Sequence, residues 1–299
     1  MNDKPQDQPS SGLAASLRRS PFSPRTLLGI VMTSLTFLCA AIAILPLVAV
    51  LSYIVIQGAS RLNLAVLKEL PPPPLVQGGG FGNAIVGTLI MVGIAVLISI
   101  PFGIMAAIYL SEFSSDRLAA GVRFATNVLS GVPSIIVGVF AYGVVVLTFG
   151  SYSAWAGGFA LSILMLPIVV RATEEALRLV PQEIRQASVG LGGTSFQTVS
   201  RVVLPAALPA IVTGTTLAVA RAAGETAPLL FTALFTQYWP NWNTGLVEPT
   251  ASLPVLVYNF ATVPFKNQQE LAWAASFILV LLVLVTSVLS RLATARRVY

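Results

Sequence analysis

The chain has 299 residues, of which 56% are hydrophobic and only 9% charged, and its mean hydropathy is +0.84. Soluble domains carry about 25% charged residues, so the composition excludes an ordinary soluble domain and predicts an all-α membrane protein in contact with lipid. The net charge of +6 comes without a basic cluster longer than a pair. Membrane topology therefore explains the charge better than nucleic-acid binding, and no nucleic-acid partner is expected.

The chain lacks the residues that most enzymes and metal sites use. It has no histidine and a single cysteine, Cys39, which lies in an apolar run. Zinc sites, disulfide frameworks and Cys/His catalysis therefore lack ligands and nucleophiles. We expect no catalytic residue and no metal site in this chain.

Six segments have the roughly 20 mostly apolar residues that a membrane-spanning helix needs. They run over Thr26 to Ile56, Ala84 to Leu110, Phe124 to Phe149, Tyr152 to Val170, Leu208 to Phe231 and Leu271 to Ser290. We expect a disordered cytoplasmic tail at 1–25, then the first span and an extracytoplasmic linker at 26–80. A core at 81–292 and a cytoplasmic C-terminal tail at 293–299 follow. Pro101 and Pro133 fall inside spans, where they are expected to form fixed kinks or moving hinges.

The basic residues indicate the orientation of the chain. If successive loops alternate sides, three basic residues (Arg61, Lys68, Lys266) lie opposite the termini. Cytoplasmic loops carry the excess of Lys and Arg. Both termini are therefore predicted to be cytoplasmic, because thirteen basic residues share their side: Lys4, Arg18, Arg19, Arg25, Arg117, Arg123, Arg171, Arg178, Arg185, Arg201, Arg291, Arg296 and Arg297.

Two connections are expected outside the membrane, at 61–82 and 232–270. The second contains Tyr238, Trp239 and Trp242, followed by Trp273. Such rings favour the headgroup level of a bilayer. They are predicted either to anchor the chain at the interface or to form a docking surface for an extracytoplasmic partner.

The cytoplasmic loop at 171–205 has its own helix signals. Thr173 followed by two glutamates indicates a helix start, and Pro181 breaks that helix. A second short helix fits Gln182 to Leu191, with Ile184, Ala187 and Leu191 on one face and Gly192 as its stop. This helix is predicted either to lie in a groove of another protein or to be an interfacial linker.

Arg221 and Glu225 are charged residues inside the fifth predicted span. Intramembrane charges are costly, so they pair or line a polar path, and we expect both to face the protein interior on one helix face. The pair either fixes helix packing or forms a pathway in which the guanidinium binds a passing oxyanion and the carboxylate competes for it. Arg171, at the inner end of the fourth span, is a second anion contact or a topology anchor.

The loop resembles the EAA loop of ABC-importer permeases. That pattern is Glu-Ala-Ala, three residues, Gly, nine residues, Ile, one residue, Leu-Pro. The spacing is kept here by Gln186, Ala187, Ser188, Gly192, Val202, Leu204 and Pro205. The resemblance implies a coupling helix that docks on an ATPase subunit. Gln186 stands where the family usually has Glu, so hydrogen bonding and shape, rather than an ion pair, would seat it.

Further stretches are similar to the PstA-type permeases of phosphate ABC importers. They are GNAIVGTLIMVGIAVLISIPFGIMAAIYLSEF, NVLSGVPSIIVGVF and ARAAGETAPLLFTALF, at residues 82–113, 127–140 and 220–235. The resemblance implies a type I ABC-importer permease fold, phosphate as cargo, and Arg221, Glu225 and Arg171 as pathway candidates. It also implies a PstC-type permease subunit, two PstB-type ATPase subunits and a PstS-type phosphate-binding protein as partners.

ATP hydrolysis is expected outside this chain. No G-x-x-x-x-G-K-[ST] phosphate loop occurs, and none of the three lysines, Lys4, Lys68 and Lys266, has that context. The chain is therefore predicted to hold no cofactor, while partner ATPase subunits bind ATP and Mg²⁺. The alternatives are a permease for another oxyanion such as sulfate or molybdate, an ATP-independent secondary transporter and, least favoured, a membrane-embedded enzyme.

Overall fold

The computed structural model describes residues 24–295, and within that range every regular element is helical. By length and composition, five helices could cross a membrane, and one sharply bent pair adds a sixth crossing if it counts as a single span. The predicted all-α membrane architecture is confirmed. Most of the predicted tails, 1–25 and 293–299, lies outside the described residues, while residues 24–25 and 293–295 belong to the first and last helices.

The helices are numbered in chain order. They are α1 (Pro24–Ala59), α2 (Leu64–Lys68), α3 (Gly82–Ile108), α4 (Asp116–Gly131), α5 (Ser134–Ala141), α6 (Ala154–Arg178), α7 (Gln182–Gly190), α8 (Ser195–Thr198), α9 (Leu204–Ala223), α10 (Ala227–Thr232), α11 (Leu253–Ala261) and α12 (Lys266–Ala295). π-helical turns prolong α3 through Tyr109–Phe113 and α5 through Tyr142–Val146, and a third, Val199–Val203, joins α8 to α9.

The described chain divides into two units, residues 24–53 and residues 54–295. The first is most of α1, a helix whose most apolar window has no buried residue. Such a helix is expected to be covered by lipid or by another subunit, because apolar side chains are not left in water at this density. The second unit carries the packed core.

The core of the second unit lies where α3 and α6 pack closely. Met91, Leu161 and Met165 are fully buried there. A Cβ added at Gly103 would lie 2.7 Å from Val169 Cγ1, and one at Gly158 would lie 2.6 Å from Ile94 Cβ. Small residues at helix interfaces let backbones approach closely, and the two glycines set the α3–α6 contact in this way.

The beginnings of α3 and α6 lie at the same end of the bundle. Asn83, at the start of α3, donates from Nδ2 to the carbonyls of Thr236 at 3.0 Å and Tyr238 at 3.1 Å. At the start of α6, the Ser153 amide donates to the Thr232 carbonyl at 3.1 Å. Both helices are thus bound to the end of α10 and the segment directly after it, so the chain between α3 and α6 must return along the bundle.

That return is broken, which corrects the prediction of one straight third span from Phe124 to Phe149. The helices on either side of Val132 and Pro133 meet at a bend of 101°. Proline has no N–H to donate and disfavours helical backbone in the residue before it, so the helix ends at Gly131. Pro133 therefore marks a break, whereas Pro101 stays inside the continuous α3.

Two other predicted boundaries were wrong. The fourth span does not end at Val170, since α6 continues to Arg178 with Thr173 fully buried inside it, so no new helix starts there. The fifth predicted span is interrupted, because α9 ends at Ala223 and α10 starts at Ala227. The connections predicted outside the membrane contain two short helices that were not expected, α2 and α11.

Candidate functional site

The short helix α7 lies where the sequence predicts it. Pro181 precedes it with φ −57° and ψ 145°, and Glu183 is in its first turn, where a carboxylate favours the helix dipole. Its end is set by Gly192, whose φ of +85° is a left-handed conformation that glycine adopts at little cost. The predicted range, Gln182 to Leu191, agrees with the structure to within one residue.

The predicted apolar face of α7 lines a groove on the surface of the chain. Ile184, Ala187 and Leu191 border a cavity of about 400 Å³, which Gln197 and Val202 close on the other side. Leu191 is 90% exposed, and Val189 and Phe196 beside the groove are also exposed. Exposed apolar side chains clustered on an otherwise polar loop are typical of a protein interaction surface.

The remaining residues of the predicted coupling motif hold this surface together or border it. Ser188 Oγ and Thr198 Oγ1 share a hydrogen bond of 2.9 Å between α7 and α8. Gln186 is exposed, Val202 is half-buried in the groove wall, and Leu204 packs on a cluster around Leu177. Pro205 is the second residue of α9 and directly follows the π-helical turn Val199–Val203 and Leu204.

Arg221 and Glu225 come together, but not as predicted. Arg221 Nε lies 3.5 Å from Glu225 Oε1, a long contact, and Glu225 lies beyond the end of α9 rather than on the same helix face. The Arg221 side chain is 59% exposed on this chain and that of Glu225 17%. The expectation that both face the interior of this chain was therefore wrong for Arg221, which points out of the chain from a helix break.

The short helix that follows the break beside Arg221 packs tightly against the helix that follows the 101° bend. Ala222 and Ala223 are buried, and Pro228 of α10 lies against Gly138 of α5, where an added Cβ would be 2.6 Å from Pro228 Cα. The half-helix α5, which follows the 101° bend, thus packs on the half-helix α10. Paired discontinuous helices leave backbone and polar side chains to line a path inside a transporter.

Arg171 belongs to a polar cluster between α4 and α6. It lies 3.0 Å from Glu175 on its own helix, and both side chains are mostly exposed. Arg123 Nε and Arg178 Nη2 both lie on Glu174 Oε1, at 2.6 and 2.8 Å. A cavity of about 190 Å³ lies among these side chains and Asn127.

Arg185 and Glu112 are a close ion pair that the sequence analysis missed. They lie 73 positions apart, on α7 and on the π-helical turn after α3. No motif or periodicity relates two positions at such a distance in the chain. Between residues 24 and 295 we find no group of three His, Cys, Asp or Glu side chains arranged to hold a metal ion.

Comparisons with known proteins identify the family. Residues 99–298 match the model for the binding-protein-dependent transport system inner membrane component. The chain is 43% identical over 252 residues to the phosphate transport system permease protein PstA of Yersinia pestis, covering 84% of each protein. It is 36% identical over 278 residues to PstA 1 of Mycobacterium tuberculosis strain H37Rv, covering 89% of each. The chain belongs to the PstA family of these permeases.

Solved structures support the fold of this permease independently. It superposes on a chain of the bacterial alginate ABC transporter with a TM-score of 0.62 at 15% identity, covering 93% of this chain and 98% of that one. A chain of the methionine transporter MetNI in an inward-facing conformation gives 0.57 at 19% identity, covering 73% and 94%. The predicted ABC-importer permease fold is confirmed.

Proposed function

We propose that this permease is the phosphate-conducting subunit of an ATP-driven importer in the inner membrane. The observation that carries the proposal is the identity of 36 to 43% with phosphate permeases of the PstA family over 79 to 91% of the chain. Because the family depends on a binding protein, cargo arrives from an extracytoplasmic protein, and the energy comes from separate ATPase subunits. The partners are a PstC-type permease, two PstB-type ATPases that bind Mg²⁺ and ATP, and a PstS-type phosphate-binding protein.

The chain crosses the membrane six times in this proposal. The starts of α3 and α6 share one end of the bundle, so the bent pair α4–α5 between them makes one crossing. The excess of Lys and Arg supports a cytoplasmic position for both termini and for the α6–α9 connection. The exposed apolar residues of α7 face the side on which ATPase subunits act.

Transport occurs by alternating access. ATPase closure moves α7 and opens a path, shared with the second permease subunit, toward the outside, and hydrolysis resets the path inward. Arg221 suits a pathway role because it is exposed on this chain and held by Glu225 only at 3.5 Å. An incoming phosphate can take over its planar donors, and the carboxylate competes for them again on release.

The decisive experiment is uptake of labelled phosphate into proteoliposomes that hold the whole complex and internal ATP. We expect unlabelled phosphate to compete strongly and sulfate or molybdate weakly. Arg221→Gln should lower uptake by about ten- to a hundredfold, the range for a lost charged hydrogen bond, while the exposed Arg117→Gln keeps it. Strong competition by sulfate, or uptake by this chain without ATPase subunits, would contradict the proposal.

A further inference from the structure

The helix α7 is attached to the rest of the chain in an unusual way. None of its residues is buried, and its packing neighbours are α8 and the π-helical turn that follows it. Because so little apolar packing holds α7, this helix can move as a rigid unit. A displacement of α7 therefore needs some other contact if it is to reach the membrane-spanning helices.

Arg185 provides such a contact to two spanning helices at once. Its Nη1 lies on Glu112 Oε2, at the inner end of α3, and its Nη2 donates to the Leu177 carbonyl near the end of α6 at 2.8 Å. The pair is sheltered, since the side chain of Arg185 is 16% exposed and that of Glu112 is 9% exposed. Ser111 Oγ donates to the other oxygen of Glu112 at 3.1 Å.

The other inner ion pairs do not join α7 to a span. Arg171–Glu175 and Arg178–Glu174 are pairs within α6, and Arg123–Glu174 joins α4 to α6. Among the ion pairs within residues 24–295, Arg185–Glu112 is the one that connects α7 with a spanning helix. A planar guanidinium can hold a carboxylate and a carbonyl in fixed directions, which a flexible ammonium does poorly.

Stability alone does not account for this arrangement. The Nε–H of Arg185 is buried without an acceptor, which costs free energy that a surface residue would not incur. Sheltered ion pairs often add little to stability compared with apolar residues of the same size. An ion pair that adds little stability but joins α7 to the spanning helices suits a role in transmitting movement between them.

We propose that Arg185 and Glu112 form the strut that carries the movement of α7 to α3 and α6. This proposal rests on the proposed function, because it gives Arg185 and Glu112 a positioning role in the same transport cycle. The proposal gives neither residue a contact with phosphate or ATP. Breaking the Arg185–Glu112 pair should leave ATP hydrolysis intact and lower the amount of phosphate transported per ATP.

The test uses the complete complex in proteoliposomes and compares phosphate uptake with ATP hydrolysed. Arg185→Gln and Glu112→Gln should each still assemble with the ATPase subunits and hydrolyse ATP. Each should raise the number of ATP molecules used per phosphate by roughly thirtyfold, the lower end of the effect of losing one partner in a sheltered charge pair. Arg185→Lys should fall between wild type and Arg185→Gln, and Arg117→Gln should match wild type.

A charge reversal separates the strut from a general structural role. Arg185→Glu combined with Glu112→Arg should recover part of the coupling that each single reversal loses, since a double-mutant cycle isolates the interaction between two side chains. If Arg185→Gln assembles and stays coupled, or if the reversed pair is as uncoupled as its single variants, the strut is refuted. Absence of uptake by the wild-type complex would instead refute the proposed function.

Discussion

The two ends of the helix bundle are held by different interactions. At the proposed outer end, where α3 and α6 start, amides and backbone groups form most of the links: Asn83 donates to two carbonyls, and Gln268 Nε2 donates to the Pro72 carbonyl at 3.1 Å. One ion pair also lies there, with Arg61 Nε 3.6 Å from Glu270 Oε2. Phe81, Leu253, Leu256 and Leu271 are completely buried there. At the proposed inner end, pairs of Arg and Glu side chains form the links, and no residue of α7 is fully buried. The outer end is therefore packed as a rigid frame, whereas the inner end leaves α7 exposed for contact with another protein.

The largest effect should come from disturbing the outer frame. A Cβ at Gly87 would overlap the carbonyl oxygen of Ala251, whereas nothing lies within 4 Å of one at Gly93 on the same helix. We expect Gly87→Val to lower the free energy of unfolding by about 3 kcal/mol, the upper range for overpacking. Gly93→Val should change it little. Thermal unfolding in detergent measures both, and equal melting temperatures for the two variants would show that the outer end is not rigid.

A second prediction concerns the inner apolar surface. Leu191 is 90% exposed at the groove beside α7, and Leu75 is 86% exposed in the outer loop. If an ATPase subunit covers Leu191, Leu191→Asp should weaken that subunit's binding by roughly 1.5 to 3 kcal/mol, the value of burying one leucine. Leu75→Asp should leave the binding unchanged. Co-purification of ATPase subunits with each variant would show the difference, and equal yields would count against docking at α7.

The smallest effect is expected at Arg171. Its pair with Glu175 is exposed, and such pairs contribute roughly 0 to 1 kcal/mol. We expect Arg171→Gln to leave both thermal unfolding and phosphate uptake within about twofold of wild type, as for a topology anchor. Phosphate uptake by Arg171→Gln, measured side by side with uptake by Arg221→Gln, checks this prediction. A tenfold loss of uptake in a fully assembled complex would instead place Arg171 on the phosphate path.

The inner end also shows what local sequence signals can predict. The bounds of α7 were predicted closely because Pro181 and Gly192 are strong breakers on either side of it. The start expected at Thr173 was wrong, since the two glutamates that resemble a first turn lie near the C-terminal end of α6. Nothing between Val170 and Arg178 interrupts a helix, and Thr173 is fully buried inside the continuous α6.

Contacts between distant positions could not be predicted. The ion pair Arg185–Glu112 depends on how α3 and α6 end side by side, and no local pattern contains that information. The exposure of Arg221 was missed for a related reason. An intramembrane charge must avoid lipid, but a single sequence does not tell whether its own chain or a second permease subunit provides the shelter.

The most direct test of the account is a crosslink from α7 to the ATPase subunit. In a Cys39→Ser background, which removes the only native cysteine, Gln186→Cys and Gln77→Cys place one thiol at each end of the bundle. With a thiol-to-amine crosslinker in the assembled complex, we expect Gln186→Cys to join the ATPase subunit and to stop ATP-driven phosphate uptake. Gln77→Cys should do neither. A complex that transports phosphate but never crosslinks through Gln186→Cys would contradict coupling through α7.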